Sequence, residues 1–315
     1  MNKLLFVDRM IDAIKSKNNP TVVGLDPKLD FIPEHILNSN FDKYGKNLEG
    51  AAAAITEFNF KLIDEIKDIV PVVKPQIAYY EMYGIPGIQA YKNTLDYARK
   101  NGLLIIADGK RNDIGSTAEA YSKAHLGLTV IDDEVMEEAF GADALTVNPY
   151  LGIDGIKPFM DDCKKYHKGI FVLVKTSNKS SGQLQDLITV DERSIYEVVA
   201  QLVNEWGTTQ IGENGYSSVG AVVGATYPNQ AKVLRKIMKS AYILVPGYGA
   251  QGGTAMDAAN NFNQDGLGAI VNASRSIMCA WQSEAYKDSF KQKEFAKAAR
   301  AEAERMRDDL NSALK

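Results

Sequence analysis

Lys74, Asp108, Lys110 and Asp113 are the residues of this chain whose types and spacing best suit chemistry. Lys74 follows an apolar run at 70–73, and Asp108 follows another at 103–107. Residues two apart on an extended strand share a face, so Asp108 and Lys110 are expected to point together. With Lys74 beside them, two ammonium groups and a carboxylate meet in a small space. Buried charges persist only when paired. An alternating Lys–Asp–Lys–Asp set pairs every member and holds each ammonium rigidly. Asp113 completes that set from its own chain or across an interface between two copies. Such a cluster stabilises developing negative charge and can deliver a proton. His35, His125 and His167 follow none of the apolar runs directly, and each reads as a histidine on the surface of a helix or loop.

A second group has the composition of a phosphate site. Pro246-Gly247-Tyr248-Gly249-Ala250-Gln251-Gly252-Gly253 follows one apolar run, and Asn272-Ala273-Ser274-Arg275-Ser276 follows the next. Glycines let the backbone approach an anion, and an arginine fork grips phosphate oxygens. No His/Asp/Glu cluster has metal-ligand spacing, and neither a P-loop nor a Gly-x-Ser-x-Gly elbow occurs.

These residues need elements to position them. Eight apolar or β-branched runs recur, at 21–25, 70–73, 103–107, 144–147, 169–174, 219–223, 242–245 and 269–271. They are continuous rather than alternating, as expected for strands buried on both faces of a parallel sheet. Helical patterns are read at 50–69, 87–101, 117–126, 132–140, 191–206, 229–240 and 256–262. Strand–helix alternation eight times over predicts a closed (β/α)8 barrel, with a doubly wound open sheet as the structural alternative. One domain is expected over 1–315, with an insertion at about 179–217 and a helical surface tail at about 284–315. A barrel places function at the C-terminal strand ends. There stand Asp26, Lys74, Asp108, Asn148, Lys175-Thr176-Ser177-Asn178, Thr226, Pro246 and Asn272–Arg275.

Composition narrows the field. The 315 residues are 45% hydrophobic and 24% charged, ordinary for a globular enzyme. Net charge is −4 with no basic block, which speaks against nucleic acid as a partner. Two cysteines build neither a disulfide framework nor a Cys-rich zinc site. No apolar run is long enough to span a membrane, and no signal peptide is read, so a cytoplasmic location is expected.

The segment Asp108-Gly109-Lys110-Arg111-Asn112-Asp113-Ile114-Gly115-Ser116-Thr117 fits the pattern Asp-x-Lys-x-x-Asp-Ile-x-x-Thr of the orotidine 5′-phosphate decarboxylases. Val-Val-Gly-Leu-Asp-Pro at 22–27, Val-Lys-Pro-Gln at 73–76, Lys-Thr-Ser-Asn at 175–178 and the loop 246–254 fit in order. The chain thus resembles that family, in its longer form, from about residue 20 to residue 280. The resemblance implies a homodimeric barrel without metal or organic cofactor, converting orotidine 5′-phosphate to UMP and CO2 in the last step of de novo UMP synthesis. Lys74, Asp108 and Lys110 would act with Asp113 of the partner subunit, and Ile114 and Thr117 would cross the interface with it. Lys110 would protonate the product carbanion. Asp26 would hold the ribose, and Ser177, with Thr176, would meet the pyrimidine. Gln251 and Arg275 would hold the phosphate, with Pro246, Gly252 and Ser274 in the same substrate-binding set. Insertion 179–217 departs from the short family members and blurs the alignment of the fifth and sixth strands. Alternatives are a metal-dependent sugar-phosphate lyase, aldolase or epimerase on the same barrel, a Schiff-base aldolase using Lys74 or Lys110, and a non-catalytic nucleotide-binding barrel.

Overall fold

The structure, a computed structural model, describes residues 4–315. Eight strands close into a parallel barrel in chain order: β1 Thr21–Leu25, β2 Val72–Pro75, β3 Leu104–Arg111, β4 Ala144–Val147, β5 Gly169–Lys175, β6 Ser217–Val223, β7 Ala241–Val245 and β8 Ala269–Ala273. Each pairs with the next, and β8 returns to β1. The open-sheet alternative is thereby set aside. β1 and β4 have the bounds read from the sequence. β2 and β3 run further, so that Lys74, Asp108 and Lys110 lie within strands rather than after them.

The two-residue period of a strand builds the inside of the barrel in layers. Val22, Val72, Ile106, Ala144, Phe171, Tyr242 and Ile270 form one apolar layer. The helix Phe6–Lys17 closes it from below with Phe6, Val7, Met10, Ile11 and Ile14. Phe6 meets Phe171 edge-on at 6.1 Å. Two residues further along the strands stand Gly24, Lys74, Asp108, Thr146, Leu173, Leu244 and Asn272. A polar layer therefore rests directly on a sealed apolar floor.

The larger core lies between the strands and the outer helices. Leu48–Ile66 buries Ile55, Phe58, Leu62 and Ile66 at the spacing read from the sequence. Ile195–Gly207, which begins after a Ser194/Glu197 capping box, packs on β5 and β6 as an ordinary member of the helical ring. Within the 179–217 segment, only the short turns Lys179–Ser181 and Gly182–Gln185 rise at the barrel mouth.

Three sequence expectations need correction. The stretch 132–140 is not helical: Thr129–Val130 and Met136–Glu137 pair as a small antiparallel hairpin. Asp132 Oδ1 accepts the N–H groups of Glu134 and Val135, closing an Asx turn where a helix would start. The tail helix begins at Phe295, not 284, and is no surface helix. Phe295–Ala313 buries Ala296, Ala298, Ala299, Ala303, Met306 and Leu310, and Phe295 stacks on Phe58 with centroids 5.0 Å apart. His125 is buried against Phe140, not exposed, and burial lowers its pKa to about 3. The helices Phe6–Lys17, Glu34–Tyr44 and Lys157–Tyr166 were not read from the sequence.

Candidate active site

At the C-terminal mouth lies a cavity of about 730 Å³. Its floor is the polar layer. Asp108 stands at the centre: Lys74 Nζ donates to its Oδ2 at 2.7 Å, and Lys110 Nζ donates to its Oδ1 at 2.7 Å. Thr146 Oγ1 also donates to Oδ1, at 2.8 Å. Lys74 Nζ lies 4.0 Å from Asp26 Oδ1, which is buried and has no hydrogen-bond partner among the described residues.

Burial alone would raise the pKa of Asp108. Lys74 and then Lys110 reverse that and hold the carboxyl well below the usual carboxylate range. Burial alone would lower the pKa of Lys74, and Asp108 and Asp26 together raise it instead. Lys74 is thus a sealed, permanently charged ammonium. Lys110 differs, since 46% of its side chain is exposed at the cavity floor. Its backbone is left-handed, with φ 46°, and its N–H donates to Thr146 Oγ1 at 3.0 Å. The register between β3 and β4 breaks between Ala107 and Arg111. A non-glycine residue in that conformation is strained and is kept by its surroundings.

The opposite rim is the glycine loop. Gly247, Gly249 and Gly252 have φ of 94°, 69° and 93°, which only glycine adopts freely. Gly249, Gly252 and Gly253 commit their N–H groups inside the loop, while those of Ala250 and Gln251 have no acceptor among the described residues. Arg275 Nη2 reaches Ala250 O at 3.4 Å, and Arg275, Ala250 and Gln251 line the cavity. Two amides and a guanidinium in one corner form an anion cradle.

Of the residues read from sequence, Asp26, Lys74, Asp108, Lys110, Thr176, Ser177, Pro246, Gln251, Ser274 and Arg275 line this cavity. Gly252 does not, because its N–H turns inward to Gly249 O at 2.8 Å. Asp113, Ile114 and Thr117 stand outside it. Asp113 Oδ1 accepts the Ile114 N–H at 2.8 Å, and Ile114 is 53% exposed. Lys175 also stands outside: β5 places three residues, Leu173 to Lys175, against two of β6, Val222 and Val223, and this shift turns Lys175 away from the mouth. Its ammonium is fully buried, 2.6 Å from Asp186 Oδ1 and 4.4 Å from the Tyr227 ring.

Sequence reading missed Lys28, Tyr79, Thr146 and Gln185 as cavity residues, and read Asn272 only as part of the strand-end segment 272–275. Strand parity puts Thr146 in the mouth only once the structure shows which face of β4 points inward. Gln185 gave no signal. It grips Thr176 twice, accepting the Thr176 N–H at 3.0 Å and donating to Oγ1 at 2.8 Å. Thr176 Oγ1 then donates to Asn178 Oδ1 at 2.6 Å, so its hydroxyl is engaged. Ser177 Oγ makes no hydrogen bond among the described residues.

Fold and site together define a (β/α)8 barrel with a charged Lys–Asp–Lys floor and, across the mouth, a glycine loop beside Arg275. Residues 22–287 match the model of the orotidine 5′-phosphate decarboxylase / HUMPS family, and the chain belongs to that family. It is 43% identical over 307 residues to an orotidine 5′-phosphate decarboxylase of Rhodopirellula baltica, covering 98% of this chain and 99% of the relative. It is 40% identical over 311 residues to that of Caldicellulosiruptor saccharolyticus, covering 99% of each. Among solved structures, a UMP synthase of Leishmania donovani superposes with a TM-score of 0.75 at 29% identity. The match covers 99% of this chain and 57% of that one, so this chain spans just over half of the synthase.

Proposed function

We propose that the chain decarboxylates orotidine 5′-phosphate to UMP. The observation that carries this is Asp108 bracketed at 2.7 Å by Lys74 and Lys110 on the floor of a cavity whose far corner is an anion cradle. In this reading the phosphate lies on the Ala250 and Gln251 amides and Arg275, the ribose hydroxyls meet the unpartnered Asp26 Oδ1, and the pyrimidine meets Ser177. C6 then faces the Lys110 ammonium. The bond from C6 to the carboxylate breaks and CO2 departs with its oxygens, leaving the electron pair on C6. Lys110 gives C6 a proton and regains one from solvent.

The C6 lone pair lies in the ring plane and is poorly delocalised, so fixed charge has to stabilise it. An ammonium at about 4 Å contributes about 4 kcal/mol at an effective dielectric of about 20. That is about a thousandfold in rate, so the whole layer and the phosphate grip contribute as well. Both lysines are ion-paired, which disfavours the free amine a Schiff-base aldolase requires. Among the described residues, no group of three or more His, Cys, Asp or Glu is arranged to hold a metal ion.

The same reading makes the enzyme a cytoplasmic homodimer. Ile114, Tyr150, Leu151 and Ile153 are exposed around Asp113. A Cβ on Gly155 would lie 3.2 Å from the Asp113 carbonyl, so the 150–155 segment packs against that turn. No helix among the described residues is long and apolar enough to cross a membrane. Ultraviolet absorbance of orotidine 5′-phosphate mixed with the protein and excess chelator tests the activity. Conversion to UMP is expected, and Lys110→Ala should lower it at least about a thousandfold while keeping UMP binding. Near-normal turnover in that variant would remove the proton-donor assignment, and dependence on metal would return the sugar-phosphate lyase reading.

A further inference from the structure

The Phe295–Ala313 helix has no part in the chemistry above, yet one of its side chains holds the glycine loop. Tyr248 Oη donates to Asp309 Oδ2 at 2.6 Å. Tyr248 is only 5% exposed, and it lies between Gly247 and the cradle residues Ala250 and Gln251. Beyond its start, where Ala225 N–H donates to Pro246 O at 2.9 Å, the other ties of the loop are weak or internal: Gly249 to Gly253 at 2.9 Å, Gly252 to Gly249 at 2.8 Å, Gly253 to Gly247 at 3.0 Å, and the long Arg275–Ala250 contact. Its glycines supply no side chain to anchor it. Behind the loop, a second open cavity of about 540 Å³ separates it from the helix, with Gly249, Met256, Arg305 and Ser312 in its wall. The Tyr248–Asp309 bond spans that gap as a strut. Arg305 does not take Asp309 away, since its guanidinium is bound to both oxygens of Glu302 at 2.7 and 2.8 Å.

We propose that Asp309 is a positioning residue for the phosphate grip. It fixes Tyr248, and through Tyr248 it sets where the Ala250 and Gln251 amides stand above Arg275. This rests on reading the glycine loop as the phosphate site. Asp309 touches no substrate, so its effect belongs to substrates that carry the phosphate and is absent from those that lack it.

The test compares Asp309→Asn with wild type on orotidine 5′-phosphate and on orotidine, the nucleoside without the phosphate. With the phosphorylated substrate, kcat/KM is expected to fall about tenfold, mostly through KM, as for loss of one charge-assisted hydrogen bond. With orotidine, kcat/KM stays within about twofold of wild type. Asp309→Glu restores most of the loss. Tyr248→Phe reproduces it, and the double variant adds nothing further, as expected of one unit. An equal fall on both substrates makes Asp309 merely structural and overturns the proposal, as does no change on either. Should wild type turn over neither substrate, the decarboxylase reading fails, and calorimetry with UMP and uridine decides the strut. A weakened UMP affinity with unchanged uridine affinity in Asp309→Asn supports it, and an unchanged ratio overturns it.

Discussion

Asp108 shows how one carboxylate organises the floor. Three donors converge on it: two ammoniums and the Thr146 hydroxyl. Asp108→Asn would leave Lys74 sealed with only Asp26, 4.0 Å away. Removing one partner of a buried pair costs about 3 kcal/mol, so chemical denaturation should show a loss of that order at neutral pH. The pH dependence has a definite sign. A carboxyl whose folded pKa is depressed stabilises the fold above its unfolded pKa of about 3.9 and loses that contribution as pH falls through the folded value. An ammonium whose folded pKa is raised stabilises the fold below its unfolded pKa of about 10.4 and loses that as pH rises through the folded value. The deficit of Asp108→Asn is therefore expected to stay constant from about pH 5 to pH 9, to shrink in acid as Asp108 is protonated, and to shrink in strong alkali as Lys74 loses its proton. A deficit that already fades at pH 6 would contradict the ion-paired state of Asp108. At this scale the charged residues were legible, because a Lys or Asp after an apolar run stands out. Thr146 was not, since a threonine inside an apolar strand is ordinary by composition and only its partner reveals it.

Strand irregularities decide which charges serve the site. Regular parity would have aimed Lys175 inward with Phe171 and Leu173, and the shift in β5 turns it out toward Asp186. There it pins the Gly182–Gln185 turn, and Gln185 in turn holds Thr176. Lys175→Met keeps the volume but removes one partner of an ion pair; because Asp186 is 46% exposed and water takes over its charge, thermal stability should fall only slightly. Its kcat/KM should nonetheless fall about tenfold as the turn loosens, and Gln185→Ala should match it. Equal loss of stability and activity would mean that Lys175 only supports the fold. The eight strands were legible because both faces are buried and the runs are continuous. The 132–140 hairpin was not, since its acidic and apolar letters mimic a helix while Asp132 closes a turn. The Ala-rich tail looked like a surface helix because small residues carry little hydrophobic signal, although they are what lets it pack closely on Leu48–Ile66.

For the molecule as a whole, the open question is how many chains make one site. Asp113, Ile114 and Thr117 stand outside the cavity of their own chain. If a second copy supplies them, Lys110→Ala and Asp113→Asn, each inactive alone, should complement on mixing and refolding. Random pairing gives about one quarter of wild-type activity, because half of the dimers carry one intact site out of two. No recovery would place the whole machinery in one chain. A single sequence displays this turn but gives no signal of which chain it serves, because the second copy is present only in three dimensions.

The apolar floor laid by Phe6–Lys17 has a consequence for traffic. Among the described residues the barrel has no lower exit, so substrate, CO2 and UMP would all use the same mouth. In the proposed reading the nucleotide, held at its far end by the loop and Arg275, fills that passage. CO2 is small enough to slip past it, whereas fresh substrate is not. On that reading the cycle runs in a fixed order, gas first and nucleotide last, and UMP and its precursor exclude each other from a vessel with one opening.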